Sequence, residues 1–161
     1  MAKCHKLISK SNANEPYRIG ALAADDFVRS KYPTAKLLHP EDIEISGSKP
    51  GDFDMVYEVE DPPPGEIIVV EAKGGNSPLG SRKIGNEAYQ QGTSKHAAAI
   101  IYLMSEKGFG TTERRAGNKI KKAAYDGTPI KYLHVQTPIN DDVDTLKVRE
   151  FSINKTAISE V

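Results

Sequence analysis

Apolar and polar positions along the chain fall into runs of two periods. In "YRIGALAADDFVRSKY", Tyr17 to Tyr32, the residues Ile19, Leu22, Ala23 and Phe27 recur at helical spacing, and Pro33 closes the segment. An amphipathic helix is expected there. Residues 34–50 carry at most a short strand and end in the turn signal "SGSKPG". "FDMVYEV" and "EIIVVEA" are β-branched and aromatic, and "EDPPPG" between them suits only a turn or loop, so the pair reads as a hairpin. A glycine-rich loop, "GGNSPLGSR", comes next. After it, "KIGNEAYQQGTSKHA" reads as helix and "AAAIIYLMS" as a buried strand. "TTERRAGNKIKKAAYDG" reads as a polar, basic helix that Thr111 or Thr112 can cap and Gly127 can stop. "PIKYLHVQT" and "TLKVREFSI" are further strands. The expectation is an α/β fold with a mixed sheet of four to six strands flanked by helices. It would occupy residues 16–161, behind a loose polar segment at 1–15.

Composition narrows this only at the edges. A chain of 161 residues is long enough for one real core and too short for two sizeable folds. Apolar residues at 38%, charged residues at 27% and no tryptophan suit a soluble α/β domain. The longest apolar run, Ala97 to Met104, is too short to span a bilayer, and "MAKCHKLISKSN" lacks the apolar region of a signal peptide. The single Cys4 excludes an internal disulfide and a thiolate zinc site; Cys4 and His5 read as a frayed terminus rather than a metal pair. Net charge is zero, but between Lys107 and Lys122 the cations Lys107, Arg114, Arg115, Lys119, Lys121 and Lys122 face Glu113 alone. Acidic residues gather at 41–61 and 140–150, so one face is expected to be basic.

The hairpin places charge where core is expected. Pairing its strands symmetrically about the Glu60–Gly65 loop sets Asp54 opposite Glu71 and Asp52 opposite Lys73. Opposed residues share a face at about 5 Å between Cβ atoms. Glu71 and Lys73 share it too, while Phe53, Met55, Tyr57, Ile68 and Val70 fall on the other, core-facing side. Two opposed carboxylates weaken a sheet by up to about 1 kcal/mol unless a cation sits between them. A hard divalent ion accepts one or two carboxylates together with waters and phosphate oxygens. It polarises a phosphodiester, and a nearby lysine can orient water or stabilise developing charge. Asp54, Glu71 and Lys73 thus suffice for metal-assisted phosphodiester hydrolysis. The ordinary reading of such a pattern is a solvated Glu–Lys face.

At these residues the chain resembles the PD-(D/E)XK, or restriction-endonuclease-like, nucleases. "GDFD" resembles the first motif, with Asp54 in the aspartate position, and "EAK" the second, with Glu71 and Lys73. Phe53 stands where that motif has proline. The resemblance implies a glutamine on the following helix facing the site, for which "YQQGTSKHA" offers Gln90 and Gln91, with Gln91 preferred. More narrowly, "EAKGG...LGSR...YQQGTSKH" is similar to the restriction-endonuclease-fold toxin domains at the C-terminal ends of contact-dependent growth inhibition and other bacterial polymorphic toxins. The likeness covers residues 51–96. It implies magnesium, manganese or zinc at Asp54 and Glu71, a DNA substrate first and tRNA second, and a cognate immunity protein. It also implies delivery from a secreted or cell-surface parent into a target cell. Many relatives add a glutamate from the first helix; here that slot holds Ala21, with Asp25 or Asp26 one turn later, which leaves one-metal and two-metal sites both open.

Other residues stand beside ordinary readings. Arg82, in the loop after the second hairpin strand, can grip a phosphate or simply be a surface arginine. Arg114, Arg115, Lys119 and Lys122 form either a track for a nucleic-acid backbone or a solvated helix face. His96 and His134 neighbour apolar strands and read as core histidines with satisfied hydrogen bonds. A binding module that keeps the site without turnover, and a housekeeping repair or restriction nuclease, are the competing functions.

Overall fold

The structure, a computed structural model, describes residues 15–47, 49–138 and 145–159. Residues 1–14, with Cys4 and His5, of the N-terminal segment expected to be loose, and the acidic Asp141, Asp142 and Asp144 lie outside the described residues, whereas Glu15 already belongs to the first helix. The elements are α1 (Glu15–Lys31), β1 (Lys36–His39), β2 (Met55–Val59), β3 (Glu66–Gly74), β4 (Ser81–Ile84), β5 (Glu87–Gln90), α2 (Ser94–Ser105), α3 (Thr112–Asp126), β6 (Ile130–Thr137), β7 (Lys147–Phe151) and α4 (Lys155–Ser159). Five strands form a mixed sheet in the order β1-β2-β3-β6-β7, and β4 and β5 form a separate hairpin. β3 pairs antiparallel with β2 and parallel with β6; β4, β5, α2 and α3 make up the connection between β3 and β6. Such a parallel pair requires a long crossover, which this segment provides.

The α/β expectation holds, with helices on both faces of the sheet. On one face α1 packs Ala21, Ala24 and Val28 onto Met55, Tyr57, Ile68, Val70, Leu133 and Val135. On the other, α2, α3 and α4 bring Ala97, Ile101, Met104, Ala116, Ile120 and Ile158 onto Val56, Ile67, Val69 and Tyr132. Both faces of the hairpin are therefore core, not one. Met55, Tyr57, Ile68 and Val70 do share a face, but Phe53 crosses to the opposite layer, its ring edge-on to Tyr132 at 5.6 Å. The cause is that β2 begins only at Met55, so the alternation does not extend back to Phe53.

Two expectations fail between Lys83 and Ser105. The stretch after the glycine-rich loop is a hairpin, not a helix: Ile84 pairs with Glu87 across the two-residue turn Gly85–Asn86, with Gly85 at φ +62°. A glycine in that conformation turns a chain without a Cβ clash. The run "AAAIIYLMS" is helix, not strand. It lies inside α2, whose first turn Thr93 caps by accepting from the His96 N–H at 3.2 Å. An apolar run without a period fits a buried helix as well as a strand, and alanine favours the helix. α3 matches its expected limits, capped by Thr111 and stopped by Gly127 at φ +77°. Among the described residues no helix is long and apolar enough to cross a membrane.

Candidate functional site

Hairpin register brings the first two site residues together. β2 and β3 pair Met55 with Val70, Val56 with Val69 and Tyr57 with Ile68, the register that the symmetry about the proline loop requires. The ladder stops at Met55, and Asp54, one residue beyond, anchors itself by accepting from the Ala72 N–H at 2.9 Å. Its carboxyl then meets that of Glu71 in a side-chain hydrogen bond. Glu71 is 3% exposed and Asp54 8%. Burial, and then the Asp54 charge, push the Glu71 carboxyl well above the usual range; burial also raises Asp54, against the pull of the Ala72 N–H and Lys73.

The surroundings fix this pair from β6, from α1 and from the residues that flank the β4–β5 hairpin. Tyr132 of β6 donates its hydroxyl to Glu71 Oε1 at 3.3 Å, and Gln91 Nε2 donates to Glu71 Oε2 at 3.3 Å. Gln91 is itself held by the Gly80 N–H on its Oε1 at 2.7 Å. From α1, the Tyr17 hydroxyl bonds Asp54, and burial beside these carboxyls raises its pKa. Tyr17 reaches so far because α1 lies close on β3 at Gly20: a Cβ there would stand 3.0 Å from Gly74 N and 3.1 Å from the Lys73 carbonyl carbon. Gly20 is a packing requirement three residues from a site residue.

A cavity of about 180 Å³ gathers Asp52, Asp54, Glu71, Lys73, Arg82, Gln91 and His96. Arg82 stands in β4, not in a loop, and its guanidinium lies over Gly51, where a Cβ would come within 2.9 Å of Nη1. Gln91 follows β5 and arrives by way of that hairpin instead of a helix; Gln90, in β5, is exposed. His96 is buried with Nδ1 unpartnered in the protein, which differs from the expected satisfied core histidine. Burial, then Arg82 and Lys73, lower its pKa to about 4. His134, beside Glu71 in the β3–β6 register, is also buried with an unpartnered Nε2. A second cavity, of about 440 Å³, meets the first at Lys49, Asp52 and Asp54, and is lined further by Tyr17, His39, Gly110, Thr111, Thr112, Glu113 and Arg115.

Other expected partners are elsewhere. Asp52 does not enter the ladder opposite Lys73; its side chain is 3% exposed, both oxygens lack a hydrogen-bond partner, and Lys107 Nζ stands 3.9 Å away. Asp25 turns to the far face, accepting from the Tyr57 hydroxyl at 2.6 Å and pairing with Arg29 at 2.9 Å. Ala21 is buried in the α1 core and Asp26 is exposed. Of the cations of the basic helix, only Arg115 lines either of these cavities. Arg114 sits over the Phe109 ring and donates to the Lys107 carbonyl. Lys119 pairs with Glu58 at 2.6 Å, and Lys122 pairs with Asp126; both line a third cavity with Glu58, Val59 and Glu60. That places them near the opposite end of β2, about 13 Å from Asp54 at ~3.3 Å per residue. The acidic stretch at 41–61 thus pairs with part of the basic one through Lys107–Asp52 and Lys119–Glu58, and Lys49 within it pairs with Glu113 of the basic helix.

No protein-family model, curated protein or solved structure matches this chain.

What the site can do follows from its donors. Two carboxyls in contact out of water must share a proton or a cation. Among the described residues no group of three or more His, Cys, Asp or Glu side chains is arranged to hold a metal; Asp54 and Glu71 are two carboxyls in contact. That set fits a hard ion that keeps waters and takes phosphate oxygens, and suits magnesium or manganese better than zinc.

Proposed function

We propose that this chain is a metal-dependent nuclease of the restriction-endonuclease-like kind, hydrolysing phosphodiester bonds in DNA, with tRNA as the alternative substrate. The observation that carries the reading is the contact between Asp54 and Glu71, buried at the end of a strand pair and sharing one cavity with Lys73 and Arg82. A bound divalent ion would supply charge neutralisation and Lewis acidity toward a phosphoryl oxygen. Tyr132 and Gln91 donate to different oxygens of Glu71 and so hold the plane of its carboxyl. The Ala72 N–H and the Tyr17 hydroxyl do the same for Asp54. Lys73, two residues along β3 and on the same face as Glu71, orients the attacking water and stabilises charge developing on the phosphoryl group. Arg82 grips a phosphate with its planar guanidinium. The likeness over residues 51–96 extends the proposal to a toxin domain of interbacterial competition with an immunity protein as partner.

The test is incubation of the purified protein with plasmid DNA and with total tRNA, with and without magnesium, manganese or zinc, beside Lys73→Ala. Metal-dependent degradation that Lys73→Ala reduces by about a hundredfold or more supports the reading. Metal binding without turnover of either substrate would replace it with the binding-module reading.

A further inference from the structure

One feature beside the site has no part in the chemistry above. Between α2 and α3 the chain turns through Lys107, Gly108, Phe109, Gly110 and Thr111, with Gly110 at φ +84°. The turn is braced throughout: Thr111 bonds the Gly108 carbonyl through its N–H at 3.2 Å and through Oγ1 at 2.8 Å, and Arg114 Nη1 bonds the Lys107 carbonyl at 3.1 Å. It nevertheless holds the Phe109 ring 95% exposed, with only the Arg114 guanidinium over it, 5.7 Å from the centroid. A lone exposed apolar side chain is ordinary. This one directly precedes Gly110 and Thr111, which line the second cavity together with Asp52 and Asp54. Lys49 and Arg115 line the same cavity with Glu41 and Glu113; Lys49 pairs with Glu113 and Lys107, in the turn, pairs with Asp52, so the guanidiniums of Arg114 and Arg115 are the cations beside the ring and the cavity. At about 440 Å³ the space falls within the ~300–1,000 Å³ of pockets that take a small organic ligand, and a single nucleotide is of that class.

An exposed aromatic face held by a braced turn, the Arg114 and Arg115 guanidiniums of α3 and a polar cavity leading to the two carboxylates match one occupant: a nucleic-acid strand with its bases unstacked. Aromatic side chains stack on bases irrespective of sequence, while cations track the backbone. In a duplex the base faces are taken by their neighbours. We propose, resting on the nuclease reading, that the substrate reaches Asp54 and Glu71 as an unpaired strand or loop. One base stacks on Phe109, and the adjoining nucleotide lies in the cavity between α3 and Asp54.

The test measures binding by fluorescence anisotropy in EDTA, using Lys73→Ala protein and a short labelled oligonucleotide as single-stranded DNA, as RNA of the same sequence and as the DNA duplex. Single strands should bind tighter than the duplex. Adding Phe109→Ala should weaken single-strand binding about tenfold, Phe109→Trp should restore it, and duplex binding should not move. Because Phe109 is exposed, the thermal midpoint of the alanine variant should match its parent. Duplex binding as tight as single-strand binding overturns the proposal. So does unchanged single-strand binding in Phe109→Ala, which would assign the ring to a protein contact. Wild-type cleavage of the same oligonucleotides with magnesium or manganese separates the two readings. Cleavage that prefers duplex defeats the unpaired-strand inference and leaves the nuclease; Phe109-dependent single-strand binding without cleavage does the reverse.

Discussion

Replacing Glu71 by glutamine should make the metal-free protein more stable at neutral pH, although Glu71 belongs to the proposed catalytic pair. Without a cation, the folded chain must either hold two charges in contact or retain a proton that the unfolded chain releases. Two charges about 4 Å apart cost about 4 kcal/mol at an effective dielectric constant near 20. Retaining the proton near pH 7, about 2.5 pH units above the ordinary glutamic acid value of 4.5, costs about 3.4 kcal/mol at 1.36 kcal/mol per unit. The cheaper route sets the ceiling. Glutamine imitates the protonated acid without that cost, but it has one accepting oxygen and a donor-only nitrogen, so it can accept from Tyr132 or from Gln91 and not from both, and one lost hydrogen bond removes about 1 kcal/mol. The net gain near pH 7 is then at most about 2 kcal/mol, or about 4–8 °C in thermal midpoint for a chain of this size. The sign follows from the raised folded-state pKa: below about pH 4.5 both states are protonated and the gain is absent, and it grows as pH rises from there. Urea unfolding of both proteins in EDTA, near pH 4 and near pH 7, measures it. A variant less stable than wild type near pH 7, or a difference equal at both pH values, would refute the account of the pair. Adding magnesium or manganese should then stabilise the wild type and not the variant.

Three further outcomes follow from named contacts. Asp25→Asn should cost about 1 kcal/mol through its bonds to Tyr57 and Arg29, and leave metal-dependent cleavage unchanged; loss of cleavage at an unchanged midpoint would mean that Asp25 serves the metal. Gly20→Ala should destabilise by about 1–3 kcal/mol and also slow cleavage, because α1 must back away from Lys73–Gly74 and carry Tyr17 with it; full activity would show that the Tyr17 contact is dispensable. Burial holds the His96 pKa at about 4, so its contribution to stability is complete above the ordinary 6.5 and is lost as pH falls through that window. His96→Asn should therefore flatten the acid limb of stability, by up to about 2 kcal/mol near pH 5; an unchanged limb in urea titrations would contradict the burial argument.

The pair at the centre of the site was legible because a hairpin with a short proline loop has one natural register, and register decides which side chains oppose. The same reasoning misplaced Phe53 and Asp52, since alternation holds only as far as the ladder and the ladder ends at Met55. Gln91 meets Glu71, but by way of a hairpin and not the expected helix. The Gly85–Asn86 dipeptide between Ile84 and Glu87 was the available hairpin signal, and a helix would have sent the two glutamines in other directions. His96 read locally as core and Tyr132 fell within a run read only as strand, and nothing in their neighbours distinguished a wall of the site from the core beside it.

By itself the sequence determined what depends on near neighbours: the hairpin and its register, the caps of α3, the amphipathic first helix, and the two carboxylates and lysine on one strand-end face. Only the tertiary structure decided which distant groups meet them. Tyr17 comes from a helix that Gly20 lets close on β3, Tyr132 from a strand more than fifty residues later, and Gln91 from a loop fastened to Gly80. It also decided that Lys119 and Lys122 are neutralised at the far end of β2 and that Asp25 serves Tyr57. The physical reason is range. Periodicity and turn chemistry act over a few residues and select a face, whereas the partner a face receives is set when separate elements exclude water together.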